Sequence, residues 1–159
     1  MAGGTRDHAT ISGNLYFELR LALRGRPCRV HNDAQKFRSP IFRNTRLPDA
    51  MVVCGPPEVD PGDAEAIVNP VVVCEVLSTG TEGTDRGDKF LEYRSTPSVQ
   101  EVVFLSSRQV RIEVYRRADS GWMMTEYTEG EVPLPAIDVR LPLDALYAHT
   151  RIAAQAETQ

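Results

Sequence analysis

No stretch of this chain approaches the roughly 20 consecutive apolar residues that a membrane-spanning helix needs. A helical membrane protein is therefore not expected. The start, MAGGTRDHAT, has no basic segment followed by an apolar one, so no secretory signal is predicted and the expected location is cytoplasmic. Cysteine is sparse. Cys28, Cys54 and Cys74 are odd in number and far apart, which argues against a disulfide framework or a zinc knuckle and predicts three reduced thiols. His8, His31 and His149 have no metal-ligand spacing between them. Gly80, Gly83 and Gly87 of STGTEGTDRGDK match neither a Walker loop nor a dinucleotide fingerprint. Lysine is scarcest among the charged residues: Lys36 and Lys89 stand beside sixteen arginines. There is no internal repeat and no low-complexity tract.

What is present fits one domain of 159 residues, with 42% hydrophobic and 25% charged residues. The net charge of −4 does not mark a nucleic-acid binder by itself. Its distribution is uneven. Residues 1–46 carry nine basic against three acidic residues, net +6, and residues 47–159 carry nine against 19, net −10. Arg20, Arg24, Arg26, Arg29, Lys36, Arg38, Arg43 and Arg46 form either a basic surface for phosphates or a solvated face.

Apolar periodicity predicts a helix over ISGNLYFELRLALRG, with Asp7 or Thr10 as its cap and Gly25 as its stop. CRVHND, QKFRS and RLPDAMVVCG read as strands. Residues 55–69 are rich in proline, glycine and acid and read as an exposed loop. PVVVCEVLS is a nearly continuous apolar strand, as expected of a central position buried on both faces. DRGDKFLEYRS reads as a helix. VQEVVFLS, QVRIEVYRR and GWMMTEYTE read as a three-stranded meander in which Trp122, Met123 and Met124 belong to the core. The end offers one more short strand and a weak helix, with a tail after Thr150 expected to fray. The sum is a mixed α/β (α+β) domain with one sheet and few helices.

One residue breaks the apolar strand: Glu75. A carboxylate there is costly unless paired, hydrogen-bonded or holding a metal. An antiparallel pairing of the strand at Ala50–Cys54 with Val71–Cys74, Cys54 opposite Pro70, puts Asp49 opposite Glu75. Other registers also bring the two acids near one another. Two opposed carboxylates repel unless a cation lies between them, and Mg²⁺ takes one or two carboxylates and leaves its other positions to water and phosphate. Farther on, Asp85, Lys89 and Tyr93 recur at i, i+4, i+8 on one helix face. The bland alternatives are a turn aspartate, an arginine-paired glutamate and a surface Asp85–Lys89 pair. Glu18 reads as a solvated residue.

Asp49 in PDAMVV, Glu75 in CEVLS and the following TDRGDKFLEY resemble the PD-(D/E)XK nuclease superfamily. More closely, with HATISGNL, RGRPCRV and QEVVFLSSRQVRIEVYRR, the chain resembles the Uma-type restriction endonucleases, a large bacterial family. The resemblance implies a restriction-endonuclease-like central mixed β-sheet flanked by helices, over residues 1–150 and without the leading segment of that family. It implies an endonuclease hydrolysing DNA phosphodiester bonds. Asp49 and Glu75 would hold Mg²⁺ or Mn²⁺ with the backbone carbonyl of Val76. Lys89 would act on the water or the phosphate, because the position two residues after the glutamate is Leu77. Asp85 would orient Lys89, and Ser78 and Tyr93 would contact substrate. DNA and a second copy of the chain, forming a homodimer, are the implied partners. The alternative is a catalytically inactive nuclease-fold module for nucleic-acid binding or dimerisation.

Overall fold

The computed structural model describes residues 4–159; Met1 to Gly3 lie outside it. Helix α1 spans Arg6–Ala22 and buries Ile11, Leu15 and Leu19 completely. Thr5 caps it, accepting a hydrogen bond from His8 N, where Asp7 or Thr10 was expected. Asp7 is instead buried against Arg151. Strands β1 (Cys28–Asn32), β2 (Lys36–Arg38), β3 (Thr45–Arg46) and β4 (Ala50–Cys54) follow. Next come β5 (Val59–Asp60), β6 (Asp63–Ile67) and β7 (Val72–Leu77). A helical segment runs through α2 (Glu82–Thr84), a π-helical turn (Asp85–Lys89) and α3 (Phe90–Arg94). The chain continues with β8 (Glu101–Ser106), β9 (Ile112–Ala118) and β10 (Gly121–Tyr127). It closes with β11 (Glu131–Leu134), β12 (Val139–Pro142), α4 (Leu143–Leu146) and α5 (Arg151–Ala156).

Six strands form the main sheet in the order β1-β4-β7-β8-β9-β10. β7 and β8 run parallel and the other neighbours antiparallel. One face, carrying Val52, Cys74, Val76 and Leu105, packs under α1, the β11–β12 hairpin and α4. The other face, carrying Met51, Val73 and Phe104, packs against Tyr93 of α3 and against Phe37 and Ile67 of a smaller sheet. Every residue of β7 is buried, which accounts for its apolar run. Each fully buried valine or leucine contributes about 1.5–3 kcal/mol. That packing fixes the backbone on which Glu75 is carried.

Four expectations are corrected. Residues 55–69 are not a loop: β5 and β6 pair with each other and β6 with β2, giving the sheet β3-β2-β6-β5. Cys28 and Cys54 are not free thiols. They face each other in the β1–β4 register and form a disulfide, leaving Cys74 buried and free. Met123 and Met124 lie exposed on the edge strand β10 rather than in the core, and Trp122 packs under the Arg117 guanidinium. Residues after Thr150 form α5, capped by Thr150 and tied to α1 through Arg151 and Asp7. Among the described residues no helix is long and apolar enough to cross a membrane.

Four of the eight basic residues of the N-terminal cluster, Lys36 to Arg46, are neutralised where they stand. Lys36 pairs with Asp63, Arg38 and Arg43 with buried Asp60, and Arg46 with buried Glu92. Its acidic partners come from the hairpin and the helix farther along the chain. The cluster is therefore not a continuous basic face.

Candidate active site

The site grows from the β4–β7 pairing. Ala50 is opposite Cys74, Met51 opposite Val73 and Val52 opposite Val72. One step further along that register sets Asp49 opposite Glu75, as in the pairing considered from the sequence. Pro48 is buried and Asp49 immediately precedes β4, with a side chain only 13% exposed. Its Oδ2 accepts a 2.7 Å hydrogen bond from Val76 N, which fixes the carboxylate across the two strands.

The helical segment brings the remaining groups over the same sheet face. Tyr93 donates its hydroxyl to Glu75 Oε1 at 2.5 Å, and Lys89 Nζ lies 3.4 Å from that oxygen. Lys89 is also 2.7 Å from Asp85 Oδ1. Asp85 in turn accepts from Thr81 Oγ1 at 2.8 Å, and Thr81 contacts the Ser78 hydroxyl at 2.9 Å. Asp49, Glu75, Asp85, Lys89, Tyr93, Val76 and Ser78 thus fall in one connected network. The turn holding Asp85 and Lys89 is π-helical, a geometry enriched at functional sites. Leu77, at the position where the superfamily usually has its lysine, is buried among apolar residues.

Electrostatics separate the two carboxylates. Burial pushes the Glu75 carboxyl up to about 8; Lys89 and the Tyr93 hydroxyl oppose that rise and the Asp49 charge adds to it. Burial also works against ionised Asp49, but the His8 imidazole beside it and the hydrogen bond from the Val76 amide outweigh that and hold its carboxyl below the ordinary value. Burial disfavours charged Lys89, yet Glu75 and Asp85 together raise its proton affinity above normal. Burial, with Glu75 beside it, drives the Tyr93 hydroxyl well up. The opposite shifts favour a proton on Glu75 rather than on Asp49.

Sequence reasoning passed over His8. From the first turn of α1 its Nε2 comes within 3.6 Å of Asp49 Oδ1. The Asp49 carboxylate raises its proton affinity against the opposing effect of burial, with help from the Val76 backbone. Nothing local marks it; only the packing of α1 on the sheet places it there. Glu92 was also missed. It receives Arg46 through two hydrogen bonds and Asn44 through a third, bracing the segment that leads into Asp49. Glu18 lies half-buried and takes no part in the network.

Among the described residues no three histidine, cysteine or acidic side chains stand together at metal-ligand spacing. The donor set on offer is smaller: two opposed carboxylates beside the Val76 backbone. That set suits Mg²⁺ or Mn²⁺, which take one or two carboxylates and fill their remaining positions with water and phosphate oxygens. An oxygen-rich, buried pair of carboxyl groups is chemically matched to a hard divalent cation.

A mixed sheet with its helices on both faces, and acids and a lysine gathered over its central strand, has the architecture of the nuclease fold. A crystal structure described as a "putative nuclease belonging to DUF820", from Anabaena variabilis, superposes with a TM-score of 0.72 at 15% identity, over 93% of this chain and 83% of that one. The model of the family Uma2, "Putative restriction endonuclease", matches residues 1–144, and the chain belongs to that family. Two Synechocystis proteins are similar in sequence. Uncharacterized protein slr1290 is 33% identical over 149 residues, covering 92% of this chain and 77% of that protein. Uncharacterized protein sll1609 is 29% identical over 127 residues, covering 79% and 72%.

Proposed function

We propose that this chain is a Mg²⁺- or Mn²⁺-dependent endonuclease that hydrolyses DNA phosphodiester bonds at Asp49, Glu75 and Lys89. The observation that carries this reading is the opposition of Asp49 and Glu75 across β4 and β7, with Lys89 Nζ 3.4 Å from Glu75. Asp49, Glu75 and the Val76 carbonyl would hold the cation. When bound, it would supply a water of lowered pKa and neutralise charge on the scissile phosphate. Lys89, anchored by Asp85, keeps a charged donor beside the carboxylates, placed to orient the water or stabilise charge developing on the phosphate. Tyr93 holds Glu75 in one orientation, and the Val76 amide holds Asp49. Ser78, at the start of the loop leading to the helix, is placed to contact a phosphate. A homodimer suits the reading, since cutting two strands uses two such sites.

Incubation with supercoiled plasmid and Mg²⁺ or Mn²⁺ tests this directly. Nicked and linear products are expected from the wild type, abolished by EDTA, by Glu75→Ala and by Lys89→Ala in variants that keep the wild-type circular dichroism. A folded wild type that leaves plasmid intact with both metals would count against the reading.

A further inference from the structure

Beyond the Asp49–Glu75–Lys89 network, a polar cavity of about 110 Å³ opens at the carboxyl ends of β7 and β8. These are the parallel pair of the main sheet, and ligands of open α/β sheets gather outside the carboxyl ends of such strands. The Ser107 hydroxyl donates to the Leu77 carbonyl and clamps the β8–β9 turn to the end of β7. Glu113 pairs with Phe104, which pairs with Glu75. Glu113 therefore lies in the same cross-strand row as Glu75, two strand spacings or about 10 Å away.

The cavity gathers three arginines around one buried carboxylate, Glu113. Arg86, one turn before Lys89, donates twice to Glu113, at 2.6 and 3.1 Å. Arg111 reaches the same buried carboxylate at 2.8 Å. One guanidinium suffices for one carboxylate, so the second positive charge, on side chains about a third exposed, is met only at the rim. Arg111 Nε is buried without a hydrogen-bond partner. At the mouth, the Arg108 side chain is exposed and, among the described residues, has no hydrogen bond or ion pair. The acids balancing that second charge are at the rim: Glu82 on Arg86 at 3.0 Å and Glu126 on Arg111 at 2.9 Å, with side chains 38% and 43% exposed. Exposed pairs of this kind contribute little and are readily exchanged. A phosphate presents the oxygens that guanidinium forks bind best.

Resting on the nuclease reading, we propose that this cavity is an anion subsite for a backbone phosphate of the bound nucleic-acid strand beyond the scissile one. Arg86, Arg108 and Arg111 are its donors, and Glu82 and Glu126 are the rim acids that the phosphate displaces. The subsite sets the path of the strand across the sheet row from Glu75 to Glu113.

Fluorescence anisotropy with a labelled DNA duplex of about 20 base pairs tests it, with Ca²⁺ replacing Mg²⁺ and salt varied. Arg108→Gln is expected to weaken binding about five- to tenfold and to lower the slope of log Kd against log salt by about one. Glu82→Gln, which frees Arg86, is expected to tighten binding. Both substitutions are at accessible side chains, and circular dichroism verifies that the fold is kept. A wild type that binds duplex while neither variant changes affinity or slope overturns the subsite and leaves the nuclease reading standing. A wild type that binds no duplex overturns both.

Discussion

Replacing Glu75 by glutamine isolates the electrostatic cost of keeping a carboxyl at the centre of the sheet. Glu75 is 2% exposed and faces Asp49, and its carboxyl is pushed from the ordinary 4.5 up to about 8. The folded state therefore binds a proton more tightly than the unfolded chain. Its stability is full below about 4.5, falls as pH rises through that interval and flattens above about 8. At about 1.4 kcal/mol per pH unit the gap corresponds to an upper bound of about 5 kcal/mol. Relaxation around the coupled Asp49 and Lys89 brings the expected loss nearer 2–3 kcal/mol. Glutamine keeps the shape and an oxygen acceptor for the Tyr93 hydroxyl but does not ionise. Urea denaturation in EDTA, followed by circular dichroism from pH 5 to pH 9, reads the difference. The two proteins should agree within about 1 kcal/mol at pH 5, and the variant should be the more stable by about 2–3 kcal/mol at pH 9. His8 titrates in both proteins and largely cancels. Parallel pH profiles, or a variant less stable at pH 9, would refute the assignment of Glu75 as the strained group.

Other perturbations test the frame that holds the site. Reducing the Cys28–Cys54 bond, which closes a sequence separation of 26 residues, should cost about 3.5 kcal/mol in the chain-entropy account; identical denaturation midpoints with and without dithiothreitol would contradict it. Arg46→Gln leaves buried Glu92 without its two-bond partner and should cost about 2–3 kcal/mol by urea denaturation, with Asn44 keeping one bond; a change below about 0.5 kcal/mol would show that the pair braces nothing. Asp7→Asn removes the charge that holds Arg151, so amide exchange in α5 should quicken while that of β7 is unchanged.

The β4–β7 relationship was readable because one acid immediately precedes the first apolar strand and a single acid lies within the next, and in-register pairing aligns them. Lys89 was readable for a related reason: helical spacing from Asp85 to Tyr93 survives the local π-turn. The rest depended on partners distant in sequence. His8 acquires a role only when α1 crosses the sheet. The disulfide needs β1 to lie beside β4, which nothing in CRVHND specifies. β5 and β6 escaped notice because the alternating apolar positions of DAEAI are only alanines, set in a stretch rich in proline, glycine and acid. The arginines of the first 46 residues looked like a binding surface until Asp60, Asp63 and Glu92 folded back onto them. Met123 and Met124 look like core residues by their apolar character, but they are neighbours pointing to opposite faces of the edge strand β10, and both are left open there.

The central claim is that Glu75 is tolerated in β7 because, with Asp49, it holds a divalent cation. Calorimetric titration of Mn²⁺ into the wild type and Glu75→Ala at pH 7, in two buffers of different ionisation enthalpy, tests it most directly. Binding to the wild type is expected with release of the Glu75 proton, seen as a buffer-dependent heat, and that binding is lost in the variant. A folded wild type that binds no Mn²⁺, or binding unchanged by the substitution, would contradict it.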